Sequence, residues 1–428
     1  MQSHRSIRPT RSAARRGGAA LVAAGAAAAL LAGCSAGSSG SGVSGMDGTT
    51  VKMGTWIGGQ SDQDQWSAYV DAGEAADPSV SVTFSGPPIG DFYTKLPTVI
   101  RGRDAPCIVT LQNGQVDPYV AGLEPLADLA EAAGVDFDDY NSAMIQQLSV
   151  DGEVYAIPYD AAPQVVYYNK ELFAAAGVPD PALDWTSDDF LAAAKATTKD
   201  GVWGFALGQG ITPVTSLMSA NGENYVSDDS VADLENADLV KRFQWYVDLA
   251  AEQGVAKPLE ASGGSFPDID AFSTGQAAMS MNGLWDLPHE QEVLGEDVVG
   301  VATVPSDDGN SRGYVGGTGF AITKTCGDKA AAFSAIKAIT SAEAMQSVAT
   351  SRATVVARPD SLDAWAEAIG SEQTAAVVKQ LLDNSFATPT PAKLSQLNTL
   401  MTQYESDAFS GKASAQEVLQ QVASGLSQ

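Results

Sequence analysis

Cys34 is the residue whose surroundings most clearly indicate a chemical modification, in a chain of 428 residues with three cysteines. It directly follows an apolar run from Ala19 to Gly33, and five arginines without any acidic residue precede that run. A basic segment, a short apolar core and small residues before a cut point are typical of a secretory signal. The apolar run is shorter than the roughly 20 residues that a membrane-spanning helix needs. We expect cleavage next to Cys34, which leaves a nucleophilic thiol beside the cut site.

The tetrapeptide Leu31-Ala32-Gly33-Cys34 resembles the bacterial lipobox, in which the cysteine sulfur receives diacylglycerol and becomes the new N-terminus. We therefore predict a lipoprotein signal peptide over residues 1–33, lipidation of Cys34 and a Ser/Gly-rich flexible tether over residues 34–48. The mature protein is then extracytoplasmic, held at the outer face of the cell membrane through its lipid anchor only. The alternative is an ordinary signal peptide with a cysteine nearby by chance.

The net charge excludes several classes of partner. The chain has 24 basic and 52 acidic residues, and loss of the five signal-peptide arginines leaves 19 basic residues and a formal charge of −33. Such a surface repels both nucleic-acid phosphates and anionic lipid headgroups. We expect no nucleic-acid partner and no direct binding to the membrane surface.

Residue types that catalyse reactions or bind metals are scarce. His289 is the only histidine left after cleavage, so a multi-His metal site is excluded and one candidate base remains for a nucleophilic mechanism. The acidic pairs at 62/64 and 188/189 fit first turns of helices, and no spacing singles out a glycosidase pair. We predict no catalytic residue, no metal and no cofactor. Cys107 and Cys326 leave a disulfide and two buried thiols as open alternatives.

Predicted strands alternate with predicted helices along the chain, and these elements must position any site. Strands are predicted at residues 51–56, 80–84 and 105–111, with a helix over 61–76, and this alternation favours a parallel, helix-covered sheet. About 390 mature residues exceed one simple core, so two lobes are expected. Three helix starts carry capping signatures: Asn169 before a helix that Gly177 ends, Thr340 with Glu343, and Ser414 with Glu417.

The stretch from Asp151 to Thr198 resembles the extracellular solute-binding proteins of ATP-driven importers, the group that includes maltose-binding protein. It contains, in the family's order, a hairpin leading to a proline, a hinge strand, a Tyr-Asn-Lys segment, a helix closed by glycine and a Trp-led helix start. Phe272–Asp286 and Gly313–Thr323 match two further family segments. The resemblance covers the chain from about Thr49 onward.

This resemblance implies an α/β fold of the periplasmic-binding-protein-like type II, with two α/β lobes joined by hinge strands around a central ligand cleft. The N-terminal lobe would comprise residues 49–160 and 316–360, and the C-terminal lobe residues 161–315 and 361–428. It also implies a non-enzymatic, monomeric component of an ABC importer that captures a sugar or oligosaccharide by lobe closure and delivers it to permease subunits. The alternatives are the same fold binding a polyamine, peptide or metal chelate, an extracellular glycosidase, and a lipoprotein that senses ligand for a signalling partner.

The family's ligand-contacting positions fall on ten residues of this sequence. Trp285 occupies the position where a tryptophan commonly stacks on a sugar ring, and its alternative role is core packing. The other implied ligand-binding residues are Trp56, Gln60, Gln112, Asn113, Asp160, Gln209, Asp286, Gly316 and Gly317. Tyr167 and Tyr168 are expected to divide between the cleft and the core. Gln60 and Ser61 are neutral where the family's maltose binders place a charged pair, so another sugar is expected.

Overall fold

A computed structural model describes residues 44–227, 230–259, 266–387, 389–391 and 393–427. Cys34, the predicted signal peptide and most of the predicted tether lie outside these ranges. Within them, no helix combines the length and the apolar content that crossing a membrane requires.

The described residues form twelve strands and sixteen α-helices. The strands are β1 (Met46–Asp47), β2 (Thr50–Gly54), β3 (Val82–Ser85), β4 (Ile108–Gln112), β5 (Ser149–Val150), β6 (Glu153–Val154), β7 (Ala156–Pro158), β8 (Ala162–Asn169), β9 (Met279–Gly283), β10 (Val299–Thr303), β11 (Val315–Gly316) and β12 (Thr318–Ile322). The helices are α1 (Gln60–Ala76), α2 (Ile89–Val99), α3 (Ala127–Ala133), α4 (Ser142–Gln147), α5 (Lys170–Ala176), α6 (Ser187–Thr197), α7 (Thr212–Ala220), α8 (Ala237–Ala251), α9 (Pro267–Ser273), α10 (Leu287–Leu294), α11 (Lys329–Ile339), α12 (Ala342–Arg352), α13 (Leu362–Ile369), α14 (Glu372–Asp383), α15 (Leu394–Phe409) and α16 (Ala415–Leu426).

The first sheet has the order β1-β2-β4-β12-β7, and β3 also pairs with β2. Only β2, β3 and β4 run parallel to one another, whereas β12 is antiparallel to both β4 and β7. The parallel arrangement predicted from the strands at 51–56, 80–84 and 105–111 is therefore correct for these three, and the other strands of the sheet are antiparallel to their neighbours. Met46 of β1 is buried, so strand pairing begins inside the stretch predicted as tether.

The second sheet is antiparallel, with β8 pairing with β9, β10 and β11. Every residue of β8 is buried. Tyr167 donates its hydroxyl to the Gly283 carbonyl at 2.8 Å, and the Tyr168 ring packs 4.9 Å from that of Phe173. The prediction that one of these tyrosines faces the cleft is wrong, because both side chains are buried and neither lines the cavity described below.

Two short crossings connect the sheets. Residues 159–161 lead from β7 to β8, and Gly317 alone separates β11 from β12. Residues 355–357 run beside the first crossing, where the Ala161 amide donates to the Val355 carbonyl and the Ala357 amide to the Tyr159 carbonyl. The two sheets are thus joined by narrow, hydrogen-bonded segments.

Local signals explain most helix ends. The Asn169 side chain accepts from the Leu172 amide at 3.0 Å, and Gly177 closes the helix at φ 71°. Ser414 and Glu417 form the predicted capping box. Thr340 does not cap α12, because its hydroxyl donates back to the Ile336 carbonyl of α11. Ser341 is the N-cap instead.

Cys107 and Cys326 form a disulfide. It links the start of β4 to the segment just after β12, at one end of this antiparallel pair. Gln112 and Thr318 pair at the other end, where the two strands reach the crossing at Gly317. A bridge closing so long a loop stabilises a fold by about 2–5 kcal/mol.

Candidate ligand-binding site

A cavity of about 660 Å³ lies where the crossings meet the ends of the strands. Gln112, Asn113 and Gln115 line it from the end of β4, and both crossings contribute residues to its floor. On the other side it is lined by β8, β9 and the turn that follows β9. Residues from both sheets therefore face one space of the size that small-molecule sites have.

Nine of the ten predicted ligand-binding residues line this cavity: Trp56, Gln112, Asn113, Asp160, Gln209, Trp285, Asp286, Gly316 and Gly317. Gln60 does not. It is the first residue of α1, it is exposed, and its side-chain amide donates to Asp64 at 2.6 Å. Ser61, Asp62 and Gln65 line the cavity from the same helix, because they lie on the face turned toward it.

Trp285 presents its indole to this cavity with 55% of the residue exposed. The core-packing alternative is therefore contradicted. Phe266 and Ile89 are also large exposed apolar residues that line the same cavity. Trp56 is partly buried and is held by an edge contact to Trp66 at 5.4 Å. Exposed apolar faces gathered in one cleft are typical of a binding surface rather than of a free surface.

Asp286 lies beside Trp285 and accepts a hydrogen bond from the Asn282 side-chain amide. Burial, together with the negative charges of Glu290 and Asp268, raises the pKa of Asp286 to about 7. A carboxyl group in this setting accepts or donates hydrogen bonds according to its protonation. It is suited to binding a ligand's hydroxyl or ammonium group.

Asp160 lies on the first crossing and accepts a hydrogen bond from the Thr318 amide of β12. Burial raises its pKa to about 7, and the bond from Thr318 opposes that rise. Its carboxyl group thus ties the two crossings together while it also lines the cavity. Asp160 thus satisfies the Thr318 amide at the hinge, and its contact with the ligand stays a prediction.

Asn113 holds the second crossing. Its amide nitrogen donates to Gln147 at 2.7 Å and to the Tyr314 hydroxyl at 3.2 Å, and its side-chain oxygen accepts from the Gly317 amide at 3.1 Å. A Cβ at Gly317 would lie 2.6 Å from the backbone carbonyl oxygen of Asp160, so this position requires glycine. At Gly316 the nearest atom would be 3.5 Å away, and space does not require glycine there.

Gln209 reaches the cavity on a loop that buried side chains anchor from below. The Tyr246 hydroxyl accepts from the Gly208 amide at 2.7 Å, and Glu405 accepts from the Gly210 amide at 2.9 Å. Burial raises the pKa of Glu405 to about 7. Neither anchor was predicted, because both come from helices remote in sequence.

Several residues that line the cavity were not predicted from the sequence. Gln164 is 3% exposed in β8, and its only signal was one amide in an otherwise apolar strand. Asp268 is the second residue of α9, directly after Pro267, and this pattern is typical of an ordinary helix start. Tyr314 and Asn282 carried no local signal. Within the described ranges, no group of three or more His, Cys, Asp or Glu is arranged to hold a metal ion.

The chain is similar in sequence to a known protein family and to several curated proteins. The family described as bacterial extracellular solute-binding protein matches residues 59–346. The diacetylchitobiose binding protein DasA of Streptomyces coelicolor is 29% identical over 150 residues, which are 35% of this chain and 34% of that protein. The arabinooligosaccharide-binding protein of Halalkalibacterium halodurans is 23% identical over 232 residues, 52% of this chain and 51% of that protein. The chain spans about a third to a half of the length of these curated relatives.

An ABC substrate-binding protein from Listeria monocytogenes, solved in complex with cycloalternan, superposes with a TM-score of 0.75 at 21% identity. The alignment covers 88% of this chain and 98% of that one. This likeness confirms the predicted fold of two α/β lobes joined by hinge strands around a cleft.

Proposed function

Because the chain belongs to the bacterial extracellular solute-binding protein family, we propose that it is the substrate-binding component of an ABC importer and captures a sugar or oligosaccharide in the cleft. One observation carries this proposal: the exposed indole of Trp285 shares a cavity with carboxyl and amide side chains. Sugars present apolar ring faces and hydroxyl edges, and this combination of groups matches both.

The ligands of the relatives support the same class. Their names or titles mention diacetylchitobiose, an arabinooligosaccharide and cycloalternan, which are all carbohydrates. The neutral Gln60 and Ser61 do not favour maltose itself.

Capture proceeds by closure of the lobes about the crossings. We assign residues 49–160 and 316–360 to one lobe and residues 161–315 and 361–428 to the other. A ligand that contacts Gln112 on one side and Trp285 on the other stabilises the closed form. Turning a mostly open ensemble into a mostly closed one needs about 5 kcal/mol of differential affinity. Several hydrogen bonds of about 1 kcal/mol each and one stacked ring supply it.

Delivery of the captured ligand requires that the protein be anchored to the membrane beside a permease. We assign residues 1–33 to a lipoprotein signal peptide and Cys34 to lipidation, which leaves a monomeric receptor at the outer face of the membrane beside its permease subunits. Two acyl chains give a stable anchor, whereas one binds only marginally. Cys34→Ser is expected to abolish lipid labelling and membrane retention. A processed, membrane-bound Cys34→Ser protein would refute the anchor.

The test of sugar binding is a thermal-shift screen against a carbohydrate library, followed by calorimetry. A ligand that binds only the folded state raises the melting temperature, and solution scattering should report compaction at saturation. If no carbohydrate shifts the transition, the proposed function is wrong. Product analysis on the same glycosides distinguishes a receptor from a glycosidase, because a receptor leaves them intact.

A further inference from the structure

The charges that line the cavity are all of one sign. Four carboxyl groups belong to its described lining, those of Asp62, Asp160, Asp268 and Asp286, and this lining contains no Lys, Arg or His. Two of these four carboxyl groups already accept hydrogen bonds from backbone amides of the protein. Asp62 accepts from the Gly58 amide at 2.6 Å, and Asp160 accepts from Thr318 across the hinge. Asp268 and Asp286 remain as the acids that need another explanation.

The Asp268 carboxylate raises the proton affinity of Asp286, and neither group forms an ion pair with a described residue. Asp268 is 7% exposed, and among the described residues only the backbone amides of its own turn, those of Asp268 and Ile269, favour its ionised form. Asp286 receives one hydrogen bond, from Asn282. Burying a carboxylate without a cation is costly, and its removal from water is compensated when a positive charge is bound beside it.

Gln164 supplies an independent indication of a polar ligand. It is 3% exposed, lines the cavity, and its side-chain amide makes no hydrogen bond to another described residue. In the sheet it pairs with Gly283, the residue beneath the Trp285 ring. Buried amides are normally hydrogen-bonded, so this one awaits a partner from the ligand. An amide beside carboxyl groups and an indole matches a ring that carries both hydroxyl and ammonium groups.

We propose that the ligand is an amino sugar, with its ammonium group bound by Asp286 and Asp268 and its ring stacked on Trp285. This inference rests on the proposed sugar-binding function and narrows its ligand class. The indole contributes to the same preference, because cations are attracted to the face of an aromatic ring. A linear polyamine satisfies the carboxyl groups and can donate to the Gln164 side-chain oxygen, but it offers no acceptor to the Gln164 NH₂ group and no ring to stack on Trp285.

The test compares ligands that differ only in the amine. Calorimetry at pH 6.5 measures binding of chitobiose with free amines against cellobiose, of glucosamine against glucose, and of galactosamine against galactose, with spermidine as a further probe. The expected result is at least tenfold tighter binding of the amine in one pair, weakened by added salt because the interaction is ionic. Asp286→Asn and Asp268→Asn should each remove most of that preference. Asp188→Asn is the control, because it removes the same charge from an exposed position outside the cavity.

The outcomes separate the two proposals. Equal or tighter binding of the neutral member in every pair, or binding only of neutral sugars from the wider library, overturns the amino-sugar inference and leaves sugar binding intact. Loss of affinity in Asp286→Asn that is equal for amine and neutral ligands also overturns it. Binding of spermidine without binding of any sugar refutes the proposed function itself. Absence of binding to every probe and every library sugar refutes both.

Discussion

The indole ring of Trp285 lies directly over the backbone of Gly283. A Cβ built at Gly283 would stand 2.1 Å from Cζ3 of the indole, so only glycine leaves room for the ring in this position. The Gly283 carbonyl is itself fixed, because it accepts the Tyr167 hydroxyl at 2.8 Å. The exposed ring is thus supported from below before any ligand arrives, which reduces the ordering cost of binding.

Replacing Trp285 with alanine should weaken sugar binding by about 2 kcal/mol, about thirtyfold in dissociation constant, because buried aromatic anchors contribute this much to a complex. Trp285→Phe should retain part of the affinity. Since the free side chain is largely exposed, the melting temperature without ligand should change little. Calorimetry with the best sugar from the screen and a thermal melt measure the two effects. A large loss of stability with unchanged affinity would show that the residue packs in the core.

Gly283→Ala tests the support beneath the ring. The added methyl group must displace the indole, so affinity should fall although Trp285 is still present. Gly90→Ala is the matched control, because a Cβ at Gly90 meets no atom within 4 Å. The intrinsic tryptophan fluorescence of Gly283→Ala should also shift. If Gly283→Ala binds as tightly as the parent, the ring is not positioned by this contact.

Stability should fall as pH rises from 5.5 to 8. The pKa values of Asp160, Asp286 and Glu405 are raised by burial to about 7, above their values of about 4 in the unfolded chain. A raised carboxyl pKa means that the folded state binds the proton more tightly. Its contribution is therefore complete below about pH 4 and is lost as pH rises through about 7, at most a few kcal/mol for each group.

Glu405→Gln isolates one of these contributions. Glutamine keeps an oxygen that accepts from the Gly210 amide but cannot ionise, so the variant should be more stable than the parent at pH 8 and show a smaller slope. Glu343→Gln, at an exposed position of α12, controls for the loss of one acidic residue. Urea unfolding at several pH values measures the difference. A parent stability that is constant or increases over this interval would contradict the prediction.

Arg242 should be critical for the stability of the C-terminal part of the chain. Its side chain is 6% exposed and makes paired hydrogen bonds to Glu223 and to Asp307, at distances from 2.6 to 2.9 Å. Arg242→Met leaves Glu223 without its cation and leaves Asp307 paired only with Lys241, and breaking a buried ion pair typically costs about 3–5 kcal/mol. Arg312→Met breaks a more exposed pair with Asp308 and should cost less than about 1 kcal/mol. Equal urea midpoints for the two variants would rule out this difference.

Local sequence patterns predicted two of the three capped helix starts correctly and missed the third by one residue, at Thr340. Asn169 and Ser414 cap helices because their side chains reach amides three residues away. A short sequence pattern therefore contains both partners of the contact. The predicted cleft residues also largely coincide with the cavity, because the order of strands and turns resembled that of a known family. Gln60 shows the limit of this approach: the turn was identified, but the direction of its side chain depends on the helix that begins there.

Only the tertiary structure decided which distant residues meet. It joined Cys107 to Cys326, placed Glu405 beneath Gly210, and brought Asp268 next to Asp286. Each pairing depends on how sheets and helices pack, and that packing is a sum over many contacts that no short pattern contains. The same holds for the protonation of the buried acids, because burial is a property of the folded chain. Sequence therefore determined the fold class and the local elements, and packing determined the chemistry of the cleft.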